Sequence, residues 1–196
     1  GAMRKHINES EFNKLFLAAA RTRHATRNQL LLLLMFRHGL RATEASRLMC
    51  SDVDREAGSL YIGRIKRGMS TVHPLAPDEM SLFTAWLAEG EVQHDEPIFV
   101  TERRTRMSRQ QIHYVVRRCG ELAGLPIATH PHQLRHGCGY ALANRGVDTR
   151  LLQDYLGHRC ISSTVIYTAT NHERFQTIWA ATVRIGSPGL SWMQSG

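Results

Sequence analysis

The sequence predicts a mainly α-helical domain with one small antiparallel β-sheet. Two kinds of pattern carry that reading. Apolar residues recur at helical spacing along most of the chain, as in Phe12, Leu15, Phe16 and Ala19, where steps of three and four bring side chains onto one face. The stretch Ser59 to Ile65 alternates instead. A turn, Lys66-Arg67-Gly68-Met69-Ser70, and a return through Thr71-Val72-His73-Pro74-Leu75 follow it, which is hairpin patterning. A chain of 196 residues buries roughly two thirds of the surface its unfolded form exposes, so one domain without staples is expected.

Asn8 and Glu11 have the spacing of a capping box and open the first helix. A basic hinge follows, from Arg21 to Arg27. From about Asn28 through Leu34, Met35 and Phe36 the next helix is apolar on nearly all sides, so it belongs at the centre. Gly39 ends it. Thr43 is read as the N-cap of a short helix to Leu48, which leaves Arg41 on the tight turn between the two. Pro77 and Asp78 open a helix whose core stripe is Met80, Leu82, Phe83, Trp86 and Leu87. Pro97-Ile98-Phe99-Val100 reads as extended, and Ser108 caps a helix with Ile112, Val115 and Val116 inward.

Gly124-Leu125-Pro126 breaks the chain again. Pro131 suits the first turn of a helix, where its missing N–H has no intrahelical partner. Leu134, Cys138, Ala141 and Leu142 bury that helix and Gly146 ends it. Asp148 caps a short helix, stopped by Gly157, that packs Leu151, Leu152, Tyr155 and Leu156. Phe175, Ile178, Trp179 and Val183 keep helical spacing in the tail. Gly1-Ala2-Met3 resembles a protease-cleavage scar. Residues 1–7 are therefore read as lead, 8–185 as one domain and 186–196 as a frayed tail.

Lys and Arg number 25 against 17 Asp and Glu, a net charge of +8, which points to a polyanionic partner. Arginine dominates the excess, as suits phosphates that are forked rather than merely attracted. The densest positive segment holds Arg103, Arg104, Arg106, Arg109, Arg117 and Arg118. It is read as phosphate-gripping, with Gln110, Gln111 and His113 as a face for base edges in a groove. A solvated helix face is the alternative. Cys50, Cys119, Cys138 and Cys160 show no C-x-x-C spacing and are expected to be reduced, packed thiols of a cytoplasmic protein. No signal peptide is recognisable, and no apolar run reaches the roughly 18 residues of a membrane span.

His132 and Arg135 lie three apart on one helix, so they leave the same face. His158 follows Gly157, and Tyr167 comes nine residues later. Two imidazoles, a guanidinium and a phenol suit chemistry on a phosphate diester, because the guanidinium forks two oxygens and the phenol can attack. Taken singly, each residue has a plainer reading. His-x-x-Arg is usually a solvated face, and a tyrosine such as Tyr167 is usually half-buried in a core. His130, His132 and His136 have metal-ligand spacing but lack an intervening Glu.

In their order, His132-x-x-Arg135-His136, Leu156-Gly157-His158 and Tyr167 resemble the signature of the tyrosine recombinases, the phage-integrase family. Upstream, Gly39-Leu40-Arg41-Ala42-Thr43-Glu44 is similar to the segment that carries the family's first arginine. The hairpin is similar to the one that carries its lysine. Counting back from Pro74-Leu75 puts that lysine at Lys66, with Arg67 as a competing neighbour. The resemblance runs from about Glu11 to Trp179 and implies the tyrosine recombinase catalytic-domain fold.

It also implies roles. Arg41 and Arg135 would stabilise the charge on the phosphate, while His132 and His158 donate to its oxygens. His132 would take the phenolic proton of the nucleophile Tyr167, and Lys66 would protonate the leaving oxygen. Glu44 would orient Arg41, and His136 would support the set. A 3′-phosphotyrosyl link keeps the bond energy, so no ATP, metal or other cofactor is called for. Most relatives carry a DNA-clamping helical domain ahead of the catalytic one, whereas only 40 residues precede Arg41 here. That departure resembles the small fimbrial phase-switch invertases of enteric bacteria, as do Lys66-Arg67-Gly68 and the run from Ala143 to Arg150.

The partners implied are double-stranded DNA with inverted-repeat sites, further copies of the chain in a homo-tetramer docked through the C-terminal helix, and accessory DNA-bending proteins, all at the nucleoid. Competing readings are a type IB topoisomerase, a non-catalytic helix-turn-helix regulator and a metal-dependent nuclease. Replacing Tyr167 by Phe separates the first reading from a regulator, since only covalent chemistry needs the phenol.

Overall fold

The computed structural model describes residues 6–64, 69–90, 92–158 and 173–179. Helix α1 (Glu9–Ala19) opens as its capping box requires. Glu11 N–H donates to Asn8 Oδ1 at 2.7 Å, and Asn8 N–H donates to Glu11 Oε1 at 3.1 Å. Ile7, assigned to the lead, is fully buried and donates its N–H to Gln133 O. Helix α2 (Ala25–His38) starts earlier than its apolar run suggests. Arg27 is therefore not a hinge residue but a buried helical one, donating to Asn28 Oδ1 and to Val100 O. The helix packs on α1 and runs through the centre with Leu30 to Phe36 buried. Phe36 stacks on Phe12 at 4.3 Å between ring centres.

Gly39 ends α2 at φ +63°, in the left-handed region. Helix α3 (Ala42–Arg47) follows, and here the sequence reading needs correcting. Thr43 lies inside the first turn; the carboxylate that takes the leading N–H, that of Arg41, belongs to Glu44 at 2.8 Å. After a short 3-10 turn at Cys50–Asp52, β1 (Val53–Asp54), β2 (Ser59–Ile62) and β3 (Thr71–Pro74) form an antiparallel sheet in that order. Val53 faces Leu60, and Leu60 faces His73. Strand β2 stops at Ile62, short of the expected Ile65, and β1 carries too little alternation to have been foreseen.

Helices α4 (Pro77–Ala88), α5 (Arg109–Leu122), α6 (Pro131–Asn144) and α7 (Thr149–Tyr155) complete the described elements. The fold is thus mainly α with one small antiparallel sheet, as expected. Phe83 and Trp86 bury α4 against α2, and the Trp86 indole donates to Ile98 O at 2.7 Å. Asp148 caps α7, accepting from the N–H groups of Arg150 and Leu151. The tail departs from its pattern: residues 173–179 form turns, with Phe175 and Ile178 buried against this chain's own Cys138, Leu142, Tyr155 and Leu156. Val183 lies outside the described residues, as does Cys160. Cys50, Cys119 and Cys138 are buried free thiols.

Candidate active site

The site is assembled at the turn after α7. Its peptide carbonyls point inward and each meets a donor from another element. Tyr155 O accepts from Arg64 at 3.0 Å and from His73 Nε2 at 2.8 Å. Leu156 O accepts from Arg135 at 3.2 Å, and Gly157 O from Met69 N–H at 3.1 Å. Gly157 sits at φ +74°, and a Cβ there would lie 2.7 Å from Arg64 Cγ and Nε. Only glycine lets the buried arginine pass. The next residue, His158, is exposed at the rim.

Arg135 is the second anchor. Its guanidinium is buried and also donates to Gly39 O, two residues before Arg41. One side chain thereby ties α6 to the α2–α3 turn and to the α7 turn. Burial, and then the nearby charges of Arg64 and Arg41, pull its pKa down to about 10. Arg41 remains 39% exposed, its guanidinium held at 3.1 Å by Glu44 Oε2. Glu44 is fully buried as a side chain, and its Oε1 accepts both Arg41 N–H and Arg64 at 3.0 Å. Burial first, then the charges of Arg135, Arg41 and Arg64, hold His158 below the ordinary imidazole value. It is therefore neutral near pH 7 and can donate one N–H.

Arg135, His136 and His158 line one groove of about 280 Å³, with Tyr140, Gly139, Ala143 and Leu156 as its apolar floor. His132 is exposed on the same helix, with its ring 4.3 Å from that of His136. Of the residues singled out in the sequence, Arg41, Glu44, Arg135, His136 and His158 therefore lie on adjoining turns. Lys66, Arg67 and Tyr167 lie outside the described residues.

A buried layer supports this surface. His38 Nδ1 meets His73 Nδ1 at 2.9 Å, and His38 Nε2 meets Glu79 Oε2 at 3.0 Å. His73 Nε2 faces a carbonyl and must carry hydrogen. Burial alone would raise the Glu79 carboxyl, but His38 and Arg37 outweigh it and hold it ionised. The two rings thus link Glu79 to Tyr155 O through one chain of buried polar contacts. Tyr155 donates its hydroxyl to Arg37 O at 2.6 Å above them. Neither this layer nor Arg64 was found from the sequence. The one cue was a polar cluster, Arg37-His38, at the end of an otherwise apolar helix.

The arginine-rich segment divides. Arg109, Gln110, His113, Tyr114 and Arg117 line an open groove of about 510 Å³ along α5. Tyr114, 64% exposed, is an aromatic the sequence reading passed over. Gln111 is spent on the helix start, its Oε1 accepting Ser108 N–H at 2.8 Å. Arg104 and Arg106 donate to Gly90 O and Ser46 O, so they brace their own loop. Arg118 and Arg117 each approach Glu121, at 3.4 and 3.7 Å. Arg103 is exposed.

Comparison with known proteins gives the family and the fold. Residues 5–174 match the model of the phage integrase family. The chain is 47% identical over 179 residues to the type 1 fimbriae regulatory protein FimB of Escherichia coli K12, covering 90% of each chain. Its fold is similar to the crystal structure of XerA recombinase, with a TM-score of 0.71 at 24% identity, over 89% of this chain and 63% of that one. It is also similar to XerH site-specific recombinase bound to difH substrate in a pre-cleavage complex, with a TM-score of 0.69 at 25% identity, over 81% of this chain and 48% of that one. The chain thus spans 48% and 63% of the length of those solved structures. From motif order, site geometry and sequence match together, the chain belongs to the phage integrase family, the tyrosine recombinases.

Proposed function

We propose that this protein is a site-specific DNA recombinase that inverts a DNA segment, with FimB-like control of fimbrial expression as the outcome. The observation that supports the reading is the shared anchoring of three segments: Arg135 holds Gly39 O, two residues before Arg41, and Leu156 O, two residues before His158, and Arg135 and His158 line one groove. Such preorganised charge is worth most where negative charge develops in the transition state. The oxygen of Tyr167 attacks the phosphorus, and the bond from phosphorus to the 5′ oxygen breaks. The phenolic proton passes to His132, and Lys66 supplies a proton to the departing oxygen. The products are a 3′-phosphotyrosyl link and a free 5′-hydroxyl. A 5′-hydroxyl from the partner strand reverses the step, so the atoms balance without ATP or metal.

Arg109, Gln110, Tyr114 and Arg117 lie along the duplex in this reading, with Arg103 and Arg118 on flanking phosphates. Four copies assemble on paired inverted-repeat sites through their C-terminal segments, with an accessory DNA-bending protein. No helix among the described residues is long and apolar enough to cross a membrane, and the proposed site of action is the nucleoid. Selection from a random duplex library supplies the binding site. A nicked duplex of that site should then give a covalent protein–DNA band on a denaturing gel, in excess EDTA as well as without it. Tyr167→Phe should bind the duplex and give no band. A band that survives Tyr167→Phe would refute the reading.

A further inference from the structure

We propose that Arg64 is a positioning residue that holds Arg41 and the His158 turn in register for the same phosphate. The inference rests on the recombinase reading and adds to it a residue that touches no substrate. Arg64 follows the end of β2, and its side chain is fully buried. One terminal nitrogen donates to Glu44 Oε1 at 3.0 Å, on the carboxylate that also holds the backbone and guanidinium of Arg41. The other donates to His38 O at 3.2 Å and to Tyr155 O at 3.0 Å, the first carbonyl of the turn that ends in His158. The planar fork therefore spans three elements that reach the site from different parts of the chain. Lysine, with a single point charge, cannot span all three.

The cost of this arrangement shows that it is specific. Arg64 Nε is buried with no partner among the described residues. Gly157 is left without a Cβ so that the arginine stem can lie against it. Burial pulls the Arg64 pKa down, opposed by Glu44. A cation needed only to neutralise Glu44 would not have to thread beneath the turn. Fastening Glu44 and Tyr155 with one guanidinium makes any displacement of Arg41 a displacement of His158 as well.

The test uses the full chain, as wild type, Arg64→Lys and Arg64→Gln. Each is placed on the nicked site duplex, whose scissile phosphate is either an ordinary diester or a methylphosphonate. A methylphosphonate has lost one charged oxygen, so its cleavage depends less on well-placed arginines. If Arg64 positions them, Arg64→Lys should slow adduct formation on the diester by up to about 100-fold, as expected when reacting groups are misplaced by about 1 Å. On the methylphosphonate, with less charge for the arginines to meet, the loss should be clearly smaller than on the diester. Equal losses on the two substrates, or no loss, would overturn the proposal. Arg64→Lys keeps a charge beside Glu44, so it remains informative if Arg64→Gln fails to fold.

Hydrogen exchange without DNA separates this inference from the recombinase reading. Peptides covering 41–48 and 153–158 should exchange faster in Arg64→Lys, with the α5 peptide unchanged. No change, or a uniform rise, would overturn the inference. Absence of any adduct from wild type would instead refute the recombinase reading, and the exchange data would still decide the role of Arg64.

Discussion

Arg135 donates to the carbonyl oxygen of Leu156 across 3.2 Å, and this bond fastens α6 to the turn that presents His158. The same guanidinium holds Gly39 O, so the Arg41 turn and the His158 turn meet through one buried side chain. Site and fold are therefore not separable here: the groups that face the groove are fixed by backbone acceptors that the fold leaves open.

Gly39→Ala tests that coupling from the backbone side. A Cβ would lie 2.3 Å from Leu156 Cδ2, at a φ of +63° that alanine adopts poorly. The variant should lose about 1–3 kcal/mol of stability, measured by denaturant unfolding. Its adduct formation should also fall at temperatures where it remains folded. Unchanged stability would mean that the α2–α3 turn is not packed as described.

Tyr155→Phe should separate support from chemistry. The lost hydroxyl donates to Arg37 O at 2.6 Å, but that oxygen keeps the Trp179 indole at 3.0 Å. With its acceptor still satisfied, the loss should be about 1 kcal/mol in unfolding free energy, with adduct formation nearly unchanged. A loss of cleavage at full stability would place Tyr155 in the reacting set.

Acid should weaken the fold through His73. Burial, then the charges of His38 and Arg64, depress its folded-state pKa well below the ordinary imidazole value of 6.5. A depressed value means the unfolded chain binds more protons, so stability is fully present above about pH 6.5 and is lost as the pH falls through it. Thermal midpoints of His73→Gln should fall less between pH 7.5 and 5.5 than those of wild type, a window about one unit either side of that value. Parallel curves would contradict the burial of an uncharged His73.

The α5 groove makes two different demands. Arg109→Ala should weaken binding to every duplex and lower the slope of log affinity against log salt by about 1. Gln110→Ala should leave that slope alone and relax preference at one base position. Identical effects from both would mean that the face grips phosphates only.

Much of the frame could be read from local pattern. Asn8 and Glu11, Ser108 and Gln111, and Asp148 each meet within one turn, so spacing alone finds them. The central α2 and the hairpin followed from apolar periodicity. Thr43 misled because a hydroxyl before a helix resembles a cap, whereas Glu44 could reach back to the Arg41 N–H. Arg64, His73 and Tyr155 could not be found this way. Their partners lie 20 to 118 positions distant, and a buried polar side chain reads on the page like an exposed one. The tail pattern of Phe175, Ile178 and Trp179 was read correctly as apolar but not as turns, since burial against Tyr155 overrides periodicity.

The central claim is that Arg41 and Arg135 act on one phosphate. A double-mutant cycle on adduct formation, with Arg41→Lys, Arg135→Lys and the pair together on the nicked duplex, tests it most directly. Groups that share one phosphate should be non-additive, with a coupling of at least about 1 kcal/mol. Losses that add to within about 0.5 kcal/mol would show independent action and contradict the account.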